Sequence, residues 1–172
     1  MRKKQTEILK GLLDMKKYYI AYGSNMNTND MKKRCITAKR IGKFKMTGYR
    51  LMFNKYATII KAKNSSVPAV LWEISEEDEK SLDIYEGFPK LYRKETVVLY
   101  INGKKVNAFI YIMNDFVPYP PTKEYFDRIL YSYREHNFQT DILKEALVST
   151  ISIDEFYDEE LCTEFVKSYF RN

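Results

Sequence analysis

Histidine and cysteine are nearly missing from this chain. Among 172 residues there is one histidine, His136, and two cysteines, Cys35 and Cys162. So few ligands and bases assemble neither a zinc site nor a Ser-His-Asp triad. The cysteines lie far apart, which leaves one disulfide open but excludes a disulfide framework; a reducing, cytoplasmic location is the corresponding expectation. Long apolar runs are missing too. Lys10, Asp14, Lys16 and Lys17 interrupt the N-terminal stretch, so it lacks the core of a signal peptide, and no segment reaches membrane-spanning length. There are no internal repeats, low-complexity segments or linkers.

What is present is a globular composition with a surplus of tyrosine. Hydrophobic residues make up 45% and charged residues 30%, enough for one domain with a real core. Aromatics reach 15%, with 15 Tyr and 10 Phe, and such a chain readily builds a tyrosine-lined pocket. The net charge of +6 admits an acidic ligand or nucleic acid. The basic clusters are short, however: Arg2-Lys3-Lys4, Lys16-Lys17, Lys32-Lys33-Arg34 and Lys104-Lys105. They read as a solvated surface rather than a nucleic-acid footprint.

In chain order, residues 5–15 suggest a short amphipathic helix or a floppy leader. Residues 18–24 form a first strand, apolar on both faces and therefore central. Asn27-Thr28-Asn29-Asp30 starts a short helix over 30–35. Residues 39–56 read as bent strands, 58–66 as a strand end and loop, and 67–74 as a strand with Pro68 at its start. Ser75 caps a helix that runs to about Tyr85 and stops at Gly87. Asn102-Gly103 joins strands 94–101 and 105–113 in a hairpin. A proline-rich loop over 117–121 precedes helices at 122–135, 139–148 (capped by Thr140) and 154–170. Strands first and helices after indicate an α+β fold with a mixed, curved or barrel-like sheet.

Two stretches carry the chemistry. Tyr22-Gly23-Ser24-Asn25-Met26 breaks a strand abruptly into turn residues whose amides can form a nest for an anion or a carbonyl oxygen. Glu86 ends a helix in an aromatic setting, where desolvation lifts a carboxyl into the range of a general acid–base. Each has an ordinary reading as well: a strand end with a loop, and a solvated helix-end glutamate. By the same standard Asp83 is a surface or capping residue, His136 a helix-end residue, Cys35 a small hydrophobe, and Tyr22, Tyr92, Tyr111 and Tyr125 core or rim residues.

Together these stretches resemble the two signatures of the γ-glutamylcyclotransferase-like family. Tyr22-Gly23-Ser24-Asn25-Met26 is similar to its Tyr-Gly-Ser-Asn motif. Leu82-Asp83-x-x-Glu86-Gly87, followed by Tyr92, is similar to the segment carrying its catalytic glutamate. Ile110-Tyr111-Ile112-Met113 and Pro120-Pro121 to Tyr125 follow in family order, and the likeness spans about residues 18–136. The resemblance implies a γ-glutamylcyclotransferase-like mixed β-barrel with flanking helices, and release of 5-oxoproline without metal or cofactor. Glu86 would be the acid–base residue. Tyr22, Gly23, Ser24 and Asn25 would line the γ-glutamyl pocket, with Tyr92, Tyr111 and Tyr125 in its walls. The segment Tyr85 to Arg93 is equally similar to the branch acting on γ-glutamylamines, so the leaving group stays open.

The expectations are therefore one domain over 1–172: a leader to residue 17, the core to 136, and C-terminal helices from 138. The partner is a small γ-glutamyl molecule, with a homodimer open and neither membrane nor nucleic acid involved. The alternatives are a non-catalytic pocket protein for an acidic small molecule and a barrel that stacks single-stranded nucleic acid.

Overall fold

A computed structural model describes residues 16–151 and 159–171. The expected 5–15 helix, and the first residues of the expected 154–170 helix, lie outside these. The described elements are β1 (Lys17–Ala21), a 3-10 turn (Ser24–Met26), α1 (Thr28–Arg34), β2 (Lys39–Asn54), β3 (Tyr56–Ile74), α2 (Glu76–Glu86), β4 (Tyr92–Ile101), β5 (Lys104–Met113), α3 (Lys123–Glu135), α4 (Asp141–Val148) and α5 (Glu159–Phe170). The fold is α+β, with one five-stranded mixed sheet ordered β2-β3-β1-β5-β4.

The first strand is central, as its two-sided apolar pattern requires: Tyr19, Ile20 and Ala21 are buried. It pairs antiparallel with β3, from Lys17 opposite Ile74 to Ala21 opposite Val70, and parallel with β5 through Tyr18 and Tyr19. The sheet is not closed into the expected barrel. Among the described residues β2 pairs only with β3 and β4 only with β5, so two edges remain.

The expected strand end and loop over 58–66 are instead continuous strand, part of a 19-residue β3. Cross-strand pairing with β2 overrides the polar Asn64-Ser65-Ser66 signal, which survives only as a bulge. Tyr49 faces Lys61 while Thr47 faces Ser66, and Asn64 takes a positive φ of 66°. Pro68 accordingly lies inside β3, not at its start. It sits just beyond Val70, the last β3 residue paired with β1, where β2 alone flanks the strand; proline there costs no second ladder.

Helix boundaries follow their caps. Ser75 and Asp78 form a reciprocal capping box at the start of α2, and Gly87 ends the helix with a φ of 64°, which glycine adopts without a Cβ penalty. Thr140 precedes α4 but makes no side-chain cap, so that helix begins at Asp141 rather than Gln139. The hairpin turns at Asn102-Gly103, both with positive φ.

The core lies between the sheet and the C-terminal helices. Phe53 of β2 meets Phe126 of α3 with ring centroids 6.1 Å apart, and Phe126 packs edge-on against Tyr169 and Phe170 of α5. The buried Cys35 and half-buried Cys162 are free thiols, and no disulfide joins them. No helix among the described residues is long and apolar enough to cross a membrane.

Candidate active site

The site arises because β1 is short. Past Ala21, β3 and β5 continue alone and lean together: the Met113 amide donates to Thr58 Oγ1 at 3.2 Å. The chain leaving β1 turns through Gly23 and the Ser24–Met26 3-10 turn at the carboxyl ends of two parallel strands, β1 and β5. Ligand crevices in α/β sheets form at such ends. Asn27 then caps α1 by accepting from the Asp30 amide, and His136, buried at the end of α3, donates from Nε2 to Met26 O at 2.8 Å. The loop is thus held from both sides.

A cavity of about 280 Å³ opens here. It is close to the lower end of ordinary ligand pockets, roughly 300–1,000 Å³. All eight residues expected at the site line it: Glu86, Tyr22, Gly23, Ser24, Asn25, Tyr92, Tyr111 and Tyr125; Met26, Leu82, Asp83 and Gly87 of the motifs do not. Elements distant in sequence supply these groups, and the fold brings them all to one place.

The tyrosines are pinned rather than loose. Tyr92 donates to Ala57 O at 2.8 Å, and the Ala57 amide donates to Tyr125 Oη at 3.1 Å, so one β3 residue ties β4 and α3 together. Tyr22 donates to the Tyr111 carbonyl, and Tyr111 donates to Asp83 Oδ1 at 2.6 Å. Burial pushes all four phenols, with Tyr19, above their ordinary range. They are neutral near pH 7 and present hydrogen-bonded walls without charge.

Glu86 is the one carboxylate among the lining residues. Asn25 Nδ2 donates to its Oε1 at 2.7 Å and to Tyr19 Oη at 3.0 Å. Burial raises the Glu86 pKa to about 7, against the opposing pull of Arg34 and the Asn25 hydrogen bond. A carboxyl poised there can act as base and as acid in turn. The Ser24 and Asn25 amides take no hydrogen-bond acceptor among the described residues, as expected at the first turn of a helix.

The motifs do not mark several contributors. Tyr19, Tyr56, Tyr85, Ala57, Leu91 and Arg128 also line the cavity. Arg34, read from sequence as part of a solvated basic cluster, lies with its guanidinium 3.4 Å from the Tyr85 ring centroid and donates to Asn25 Oδ1. Asp83 is no plain surface or capping residue: it holds Tyr111 and pairs with Lys94 at 2.7 Å. Tyr19 and Tyr85 carried a signal, since each flanks a motif within an aromatic run. Arg34 carried none, and Asp83, though it falls within the glutamate motif, gave no hint of its partners, which come from other elements.

A family model described as gamma-glutamyl cyclotransferase, AIG2-like, matches residues 19–133. A search of curated proteins finds no match. Among solved structures, a gamma-glutamyl cyclotransferase aligns with a TM-score of 0.66 at 21% identity, covering 89% of this chain and 99% of that one. An uncharacterized Homo sapiens protein aligns with a TM-score of 0.65 at 21% identity, covering 90% and 99%. YkqA from Bacillus subtilis aligns at 0.63 and 19% identity, covering 83% of this chain and 56% of its own. At these identities the likeness is one of fold. The family match spans the strands, the loop and the glutamate helix that build the cavity, and the chain belongs to the gamma-glutamyl cyclotransferase, AIG2-like family.

Proposed function

We propose that this protein cyclises a γ-glutamyl group, releasing 5-oxoproline and a free amine, with Glu86 as the group that moves both protons. The observation that carries the reading is the buried Glu86 carboxyl, held by Asn25 among neutral tyrosines with a pKa of about 7.

The Glu86 carboxylate takes a proton from the substrate's α-ammonium. The freed nitrogen attacks the substrate's own γ-carbonyl carbon, forming a five-membered ring and a tetrahedral oxyanion. The Ser24 and Asn25 amides are the nearest candidates to stabilise that oxyanion or to bind the α-carboxylate. The oxyanion collapses, the bond to the leaving nitrogen breaks as protonated Glu86 returns its proton there, and the regenerated carboxylate takes the second proton from the ring nitrogen, leaving the neutral lactam and passing that proton to the released amine. Holding the amine against the carbonyl supplies up to about 7–11 kcal/mol of the barrier through positioning. Pinned tyrosine walls suit that task.

The test is mass-spectrometric detection of 5-oxoproline from γ-glutamyl amino acids, γ-glutamyl amines and glutathione, with Glu86→Gln as control. Release that depends on Glu86 is the expected result, and the preferred compound identifies the leaving group. Full turnover by folded Glu86→Gln overturns the mechanism. Silence across the whole panel turns the reading toward a pocket that binds without reacting.

A further inference from the structure

Arg34 is the last residue of α1 and does not line the cavity, yet it touches two residues that do. Its Nη1 donates to Asn25 Oδ1, and its guanidinium lies on the Tyr85 ring at 3.4 Å. Tyr85 in turn exchanges a hydrogen bond with Ser24 Oγ at 3.1 Å and immediately precedes Glu86. Arg34 therefore braces the loop on one side and the glutamate helix on the other.

The chemistry of the groups makes this more than packing. A guanidinium only donates, so the Asn25 atom facing it must be the carbonyl oxygen. The Asn25 amide nitrogen is thereby forced the other way, onto Glu86 Oε1 and Tyr19 Oη. Without Arg34 that choice is left to Glu86 and Tyr19, and a protonated Glu86 can donate to the amide oxygen instead of accepting from its nitrogen.

We propose that Arg34 is a positioning residue for Glu86: acting through Asn25 from behind the loop, it fixes which end of the amide meets the carboxylate and sets a single positive charge on the side away from the cavity. For its functional meaning this rests on the acid–base assignment of Glu86; its test uses the geometry alone.

The groups facing Glu86 leave few other sources of charge. Tyr19 on β1, Tyr22 on the loop, Tyr92 on β4, Tyr111 on β5 and Tyr125 on α3 are neutral phenols. Asp83 lies behind Tyr111, paired with Lys94. Arg128 also lines the cavity, from an exposed position on α3. Arg34 is the cation that opposes the effect of burial on Glu86.

The experiment is an NMR titration of the Glu86 carboxyl carbon in the full chain, without substrate, for wild type, Arg34→Met and Arg34→Lys. Arg34→Met is expected to raise the Glu86 midpoint by about one pH unit, the low end of the ~1–3 units an adjacent opposite charge supplies. The Asn25 side-chain amide protons should lose their protection in the same variant. Arg34→Lys keeps a donor-only cation and should titrate near wild type. If Arg34→Met does not fold, Arg34→Gln takes its place with the same expectation. A Glu86 midpoint unmoved by the neutral variant, or moved equally by lysine, overturns the proposal. No turnover is read, so a failed cyclisation assay and a failed positioning role remain distinguishable.

Discussion

Helix α2 carries two glutamates whose surroundings drive them in opposite directions. Glu79 and Glu86 are seven residues apart, two helical turns, with Asp83 between them on the same face. Burial pushes both carboxyls upward. At Glu79, Lys17 and Lys94 outweigh it with ion pairs of 2.5 Å each, and the carboxyl is held below its usual range. At Glu86 the hydrogen-bond partner is the Asn25 amide and the opposing charge is the single guanidinium of Arg34, so burial prevails and the pKa reaches about 7. One residue type on one helix face thus makes a structural anchor at one turn and, in the proposed mechanism, a proton-transfer group two turns later. Desolvation is common to both; the presence of a lysine decides the outcome.

Exchanging the roles tests this contrast. The largest effect is expected from Glu86→Gln, which should lower 5-oxoproline release by at least about 10²-fold, the low end for general acid–base catalysis. Glu79→Gln should leave release nearly intact while lowering stability; equal losses of activity from both would erase the distinction. Next, Lys94→Met strips the shared cation from Glu79 and Asp83. It should cost about 1–3 kcal/mol in denaturant unfolding, between the values for surface and buried pairs.

The pH dependences should differ in sign. Glu86 titrates higher in the folded protein than its ordinary 4.5, so the folded state binds the extra proton. Its stabilisation is complete below about pH 4.5 and fades as pH rises through about 7. Glu86→Gln should therefore be more stable than wild type at pH 8, by about 1 kcal/mol after allowance for solvent screening at a residue whose carboxyl is buried but which is partly exposed as a whole, and not at pH 4.5. Over the same interval kcat/KM should rise with pH, with a midpoint near 7. Glu79 behaves oppositely, and its contribution is lost in acid as pH falls below 4.5. A flat difference in melting temperature between Glu86→Gln and wild type across this range would show that the carboxyl is not desolvated.

The smallest effect is expected from Gly23→Ala. Its Cβ would meet Ala57 Cβ at 3.3 Å and Tyr125 Oη at 3.6 Å, on the residue that ties β4 to α3. KM should rise several-fold with little change in melting temperature. An unchanged KM would mean that this wall yields without consequence.

Local chemistry made much of this protein legible in its amino-acid order. The Ser75 cap, the Gly87 stop, the Asn102-Gly103 hairpin and the two-sided apolar first strand each follow from short-range rules, and the structure contains them all. The motif residues were identifiable as well, because turn residues after a strand and a glutamate at a helix end are local features. The 19-residue strand β3 was not legible, since its loop-like middle is extended only by pairing with β2. Nor was the open sheet, whose edges depend on which strands meet. Arg34 beside Asn25, and Lys94 beside Glu79 rather than Glu86, were equally hidden. A pKa depends on the charges and solvent around a group in space. Sequence by itself determined that Glu86 stands at a helix end among aromatics; only the tertiary structure decided that, among the described residues, the lysines pair with Glu79 and not with Glu86.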